Sequence, residues 1–199
     1  LADGMNAENN PGSYTYGVGV ESFEEASKEG HTFEGWYSDA DYTEKVESIS
    51  ATQINDITLY AKFIANTYEI IYELADGTNA ENNPGSYTYG VGVESFGEAI
   101  KEGHTFEGWY IDADYTEKVE SISTTQIGEI TLYAKFIVND YEIHYELNGG
   151  TNAEDNPSGY TYGVGVKSFG EASKEGHTFE GWYSDADYTA KVESISATQ

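Results

Sequence analysis

The chain has 199 residues, with 36 acidic side chains against nine basic ones, a formal net charge of −27 and no cysteine. All nine basic residues are lysines, which argues against nucleic acid, heparin-like polymers and anionic membranes, whose recognition needs clustered Lys and Arg. The missing thiols exclude disulfides and thiolate metal sites, and no apolar run approaches the roughly 18 residues of a membrane span, nor does a signal peptide stand in these residues.

The stretch Gly30-His31-Thr32-Phe33-Glu34-Gly35-Trp36-Tyr37 recurs letter for letter at Gly103–Tyr110 and at Gly176–Tyr183, a constant spacing of 73 residues. The chain is therefore one module written almost three times. The expected divisions are 1–66, a repeat lacking its first strand; 67–139, a complete repeat; and 140–199, a repeat lacking its last strand, together an excerpt of a longer array. A unit of this size is near the lower limit for burying its own core, so the 18 Tyr, 8 Phe and 3 Trp must supply it.

In the complete copy, Tyr68, Ile70, Tyr72 and Leu74 alternate with Glu69 and Glu73, which predicts a half-buried strand over 68–74. Ile71 becomes His144 in the third copy, consistent with an outward face. Ala75-Asp76-Gly77 through Asn82-Asn83-Pro84-Gly85 is dense in turn formers and reads as a long hairpin connection. A second strand is expected over 87–93, with Gly90 and Gly92 on one face forming a bed for Trp109. Ser95-Phe96-Gly97-Glu98 has capping-box spacing and Gly103 stands as a stop, predicting a two-turn helix over 96–102. A strand over 104–110, a turn at Asp112-Ala113-Asp114, a short strand or link over 119–123 and a closing strand over 130–136 complete the module. Asn139-Asp140 leads straight into the next copy, so neighbouring repeats are expected to be stiffly coupled partners.

Three segments together resemble the Listeria–Bacteroides repeat, the B-repeat type found in internalin B. They are the opening Tyr141-Glu142-Ile143-His144-Tyr145-Glu146-Leu147-Asn148-Gly149-Gly150-Thr151, the central Gly-His-Thr-Phe-Glu-Gly-Trp-Tyr, and the closing Ile130-Thr131-Leu132-Tyr133-Ala134-Lys135-Phe136. The resemblance covers the whole period. It implies an α+β, mostly β fold, a tandem array of small β-grasp-like modules, each a twisted mixed sheet with one short helix. It also implies a secreted or wall-attached bacterial protein, extracellular or at the cell surface. The family usually has an aromatic residue where His31, His104 and His177 stand and often prolines near the expected helix, and no ligand site is carried over from it.

Catalysis is not expected: His104 and Glu107 lie three residues apart, which strict strand alternation places on opposite faces, and Gly90-Val91-Gly92-Val93 lacks the third glycine of a dinucleotide loop. No cofactor is implied. The pairs Asp39 and Asp41, Asp112 and Asp114, and Asp185 and Asp187 are the weak candidates for calcium, since two carboxylates and loop carbonyls begin an oxygen site. Trp36, Trp109 and Trp182, with Phe33, Phe106 and Phe179, are the expected structural anchors; Trp109, Tyr110 and Tyr115 have a sugar-stacking alternative. The first two copies differ at only 8 of 66 shared positions. Such repetition suits a stalk or spacer projecting a distal domain or building an extracellular fibre; the alternative is an adhesive module that binds a host or matrix glycan or protein.

Overall fold

Alternating apolar residues in short runs between glycine-rich corners make strands, and the computed structural model, which describes residues 3–198, contains twelve of them. In chain order they are β1 (His31–Tyr37), β2 (Lys45–Val46), β3 (Tyr60–Ala65), β4 (Thr67–Glu73), β5 (Ser86–Thr88), β6 (His104–Tyr110), β7 (Lys118–Val119), β8 (Ile130–Val138), β9 (Asp140–Glu142), β10 (Gly159–Thr161), β11 (Trp182–Tyr183) and β12 (Lys191–Val192). They form a three-stranded sheet ordered β2-β1-β3, a five-stranded sheet ordered β5-β4-β8-β6-β7, and the two-stranded pairs β10-β9 and β11-β12. The two compact units are Leu1–Ile71 with Asn83–Phe96 and Val119–Leu132, and Tyr72–Asn82 with Gly97–Lys118 and Tyr133–Gln199, so each holds parts of neighbouring copies.

In the first unit, β1 pairs antiparallel with β3, and Ala26, Trp36 and Ala61 form a buried cluster against Phe23, Phe33, Leu59 and Phe63. The antiparallel pairing of β4 with β5 sets Tyr68 opposite Tyr87, which confirms the long hairpin. Ile70, Tyr87, Ile122 and the fully buried Leu132 lie inside. In the second unit, β6 pairs antiparallel with β8, setting Phe106 opposite Phe136 and Trp109 opposite Ala134. Removing such aliphatic and aromatic side chains from water is the main favourable term in a chain without disulfides.

No helix occurs among the described residues, so the fold is all-β and the α+β, β-grasp-like expectation with its helix over 96–102 is overturned. Residues 95–99 have no regular structure, and Ile100 makes an antiparallel bridge to Thr78 through hydrogen bonds of 2.9 and 2.7 Å. The capping box supplies a start signal but little energy, and a two-turn helix must overcome the cost of nucleation. Here tertiary partners take the backbone groups first. The Gly97 carbonyl accepts from Trp109 Nε1 at 2.9 Å. In the outer copies an asparagine clamps the equivalent residue at both ends: Glu24 N–H donates to Asn10 Oδ1 at 2.7 Å while Asn10 Nδ2 donates to Glu24 O at 2.9 Å, and Asn156 holds Gly170 likewise at 2.6 and 3.2 Å.

The strand expected over 87–93 also stops early, at Thr88. Gly90 and Gly92 have φ of +85° and +69° and shape a turn instead of a bed for Trp109. A β-carbon on Gly90 would meet nothing within 4 Å, whereas one on Gly92 would stand 2.3 Å from the Ile122 carbonyl oxygen.

Candidate functional site

Each copy concentrates its distinctive side chains around the Gly-His-Thr-Phe-Glu-Gly-Trp-Tyr stretch, and in the first two copies a β-bulge decides how they sit. The register of β6 on β8 shifts between Phe106 and Gly108, as that of β1 on β3 shifts between Phe33 and Gly35. An inserted residue breaks the period of two. Phe106 and Trp109, three apart, therefore pack ring against ring at 5.3 Å, and Phe33 with Trp36 at 5.4 Å and Phe179 with Trp182 at 5.2 Å repeat the contact. Tyr72 covers Trp109 at 5.1 Å and Tyr145 covers Trp182 at 5.0 Å. Burial pushes the Tyr72 phenol up to about 12 and raises that of Tyr145. Trp109 is only 3% exposed and Trp36 7%, while Trp182 is half-buried.

The bulge also removes the alternation argument for His104 and Glu107, and their partners separate them instead. Glu107 pairs with Lys135 at 2.9 Å; His104 Nδ1 lies 2.7 Å from the Glu102 carbonyl oxygen.

A lysine cage that the sequence reading passed over lies beside the bulge. Lys135 Nζ sits 5.3 Å from the Tyr110 ring and 5.7 Å from that of Tyr115, and Lys62 repeats this with Tyr37 and Tyr42 at 5.4 and 5.8 Å. In the first copy Glu34 accepts from Lys62 at 3.0 Å and from the Tyr37 hydroxyl at 2.9 Å. These contacts hold the Glu34 carboxyl below its ordinary range and raise Lys62, and Glu107 raises Lys135. Tyr42, Tyr115 and Tyr188 take left-handed φ of 54–58°, costly for a residue with a β-carbon, and ring packing at 5.5–5.6 Å secures them. The signal was visible in principle, as Tyr and Lys recurring at the 73-residue period.

The aspartate turns divide their two acids. Asp39 accepts from the N–H groups of Asp41, Thr43 and Glu44 and from the Thr43 hydroxyl, all at 3.0–3.1 Å. Asp112 receives Thr116 and Glu117, and Asp185 receives Asp187, Thr189 and Ala190. Asp41, Asp114 and Asp187 are exposed. Among the described residues no three His, Asp or Glu side chains converge as a metal-holding group. The first acid of each pair is spent on the turn's own backbone, which is the behaviour of an Asx turn.

Those backbone donors, with Glu44 N–H foremost for Asp39, Thr116 N–H for Asp112 and Thr189 N–H for Asp185, hold all three carboxyls below their ordinary range. A carboxylate lowered on folding contributes stability that is complete above its unfolded value, about 3.9, and is lost as pH falls through the folded value. We expect Tm to drop below about pH 4, and the triple variant Asp39→Asn, Asp112→Asn, Asp185→Asn to start lower and drop less over that range. Thermal melts across pH check this; parallel profiles for parent and variant would remove the assignment.

Against known families, the Listeria-Bacteroides repeat domain matches three times, at residues 2–62, 68–135 and 141–199. The chain belongs to the Listeria-Bacteroides repeat domain family. It is 36% identical over 162 residues to a "Putative membrane protein" of Evansella cellulosilytica, a match that takes in 81% of this chain and 24% of that protein. A "Putative Gly-rich membrane protein" of the same organism is 36% identical over 177 residues, 85% of this chain and 19% of the relative. Internalin H of Listeria monocytogenes is 36% identical over 117 residues, 57% of this chain and 20% of its own length. The chain thus spans a quarter or less of these curated relatives. No solved structure matches it. The three family matches follow the three Phe–Trp cores, so the ring pair recurs in every Listeria-Bacteroides repeat of this chain, and the bulged strand stands in the first two.

Proposed function

We propose that these repeats are a structural spacer of a bacterial surface protein, projecting a distal domain or building an extracellular fibre. One observation carries the reading. In the complete Listeria-Bacteroides repeat the chemically distinctive groups are spent inside the module: Trp109 on Tyr72, Phe106 and Gly97, and Asp112 on its own turn. Lys135 is spent on Glu107 and two tyrosines. Residues committed in this way serve folding. The relatives, two described as membrane proteins and one as an internalin, support a surface location. The net charge of −27 keeps neighbouring arrays apart.

An adhesive role is favoured by a different feature. Val18, Val91 and Val164 stand at the same turn in each copy and are 73, 69 and 72% exposed, an apolar knob once per repeat. A glycan array and a pull-down from host-cell and matrix extracts with the full chain separate the two readings. Silence in both is the expected result. Saturable capture of one ligand that is lost in the Val18→Asp, Val91→Asp, Val164→Asp variant would replace the spacer with the adhesin.

A further inference from the structure

The three copies carry the same tyrosine at 16, 89 and 162, and the same Gly-His pair at 30–31, 103–104 and 176–177. The Tyr89 ring covers Gly30 so closely that a β-carbon there would stand 2.2 Å from the ring's Cγ and Cδ2, and His31 packs edge-on to that ring with centroids 5.4 Å apart. Asn66 joins the two sides. Its N–H donates to the Gly30 carbonyl at 2.9 Å, its own carbonyl accepts from Tyr89 N–H at 2.9 Å, and its Oδ1 accepts from the Thr32 hydroxyl at 2.6 Å.

The arrangement is built again one period later. A β-carbon on Gly103 would stand 2.1 Å from the Tyr162 ring, and His104 packs on that ring at 5.8 Å. Asn139 bonds the Gly103 carbonyl, Tyr162 N–H and the Thr105 hydroxyl at 2.9, 2.9 and 2.7 Å. Gly30 and Gly103 also share a φ of +66°, so glycine is required there both by conformation and by space. The two remaining halves differ: Tyr16 is 68% exposed, and a β-carbon on Gly176 would meet nothing within 4 Å.

We propose that the Gly-His corner of one repeat and the tyrosine of the following repeat are the complementary halves of a head-to-tail coupling surface, with the intervening asparagine as its hub. The partner this surface fits is the next copy of the same repeat. Two backbone hydrogen bonds through one asparagine leave no free linker, and a ring seated on a glycine fixes the approach to one orientation. The inference concerns how copies are joined and stands under either functional reading above.

The test uses the full chain with spin labels on cysteines introduced at the exposed Glu47 and Glu120, and reads the distance distribution between them. Tyr89→Ala is expected to broaden that distribution about two-fold or more, as a flexible connection would, with the near-UV signal of the tryptophan cores retained. Tyr16→Ala removes the same ring where it is exposed and is expected to leave the width unchanged. An unchanged width in Tyr89→Ala would overturn the proposal. Should Tyr89→Ala fail to fold, Gly103→Ala against Gly176→Ala decides: both carry the same left-handed strain, but only Gly103 lies under a ring. A larger loss of Tm at Gly103 supports the coupling, and equal losses overturn it.

Discussion

Trp109→Ala is expected to unfold its repeat, with a loss of about 3 to 5 kcal/mol. The indole is 3% exposed, touches the Phe106 and Tyr72 rings, and donates to the Gly97 carbonyl. Its removal opens a cavity and takes away the hydrogen bond to that carbonyl. Trp109→Phe keeps much of the ring contact and loses the donor, which should cost about 1 to 3 kcal/mol. Trp182→Ala, at a half-buried site, should cost less than Trp109→Ala. Urea titrations of the full chain, followed by near-UV circular dichroism and fitted with more than one transition, measure all three. A Trp109→Ala chain with parental spectrum and stability that merely lost a binding partner would restore the sugar-stacking reading.

The second large effect is expected at Gly92. An alanine β-carbon there would stand 2.3 Å from the Ile122 carbonyl oxygen and 3.0 Å from backbone atoms of Ser123 and Thr124, none of which is the end of a flexible side chain. Val93 and Ile122 bridge immediately beside this point, through hydrogen bonds of 3.0 and 2.8 Å, so relief of the clash must break the bridge. We expect Gly92→Ala to lose more than about 3 kcal/mol, in the range reserved for disrupted packing or strained backbone. Gly90→Ala supplies the control. Its φ is likewise positive, but its surroundings are open, so conformational strain of about 1 to 2 kcal/mol is all it should show. Equal losses at Gly90 and Gly92 in thermal and urea unfolding would rule out the close approach.

The misreading of this glycine pair explains what local pattern can and cannot tell. Tyr87, Tyr89, Val91 and Val93 alternate as a strand should, yet the ladder ends at Thr88 because Gly90 N–H is taken by the Thr124 carbonyl and Val93 by Ile122. The helix over 96–102 failed for a related reason. Its start signal was present, but the carbonyl at 97 belongs to an indole twelve residues on, and in the outer copies an asparagine fourteen residues back holds both backbone groups of the equivalent residue. The candidate site divides the same way. The tryptophans and phenylalanines were visible as large apolar side chains at one spacing, whereas the Lys135 cage depends on a bulge that no period-two pattern reveals.

What the sequence alone determined is the 73-residue period, the absence of thiols and basic clusters, and the strands β4, β6 and β8, whose bounds agree with the alternation to within two residues. These follow from side-chain chemistry acting on neighbours. Tertiary structure decided the all-β fold, the bulge that brings Phe106 onto Trp109, the spending of Asp39, Asp112 and Asp185 on their own turns, and the tyrosines seated on the Gly30 and Gly103 corners. In each case a backbone donor or acceptor had more than one possible partner. The choice fell to groups brought close only when the sheets paired, since a buried polar group left unmatched costs more than a local preference is worth.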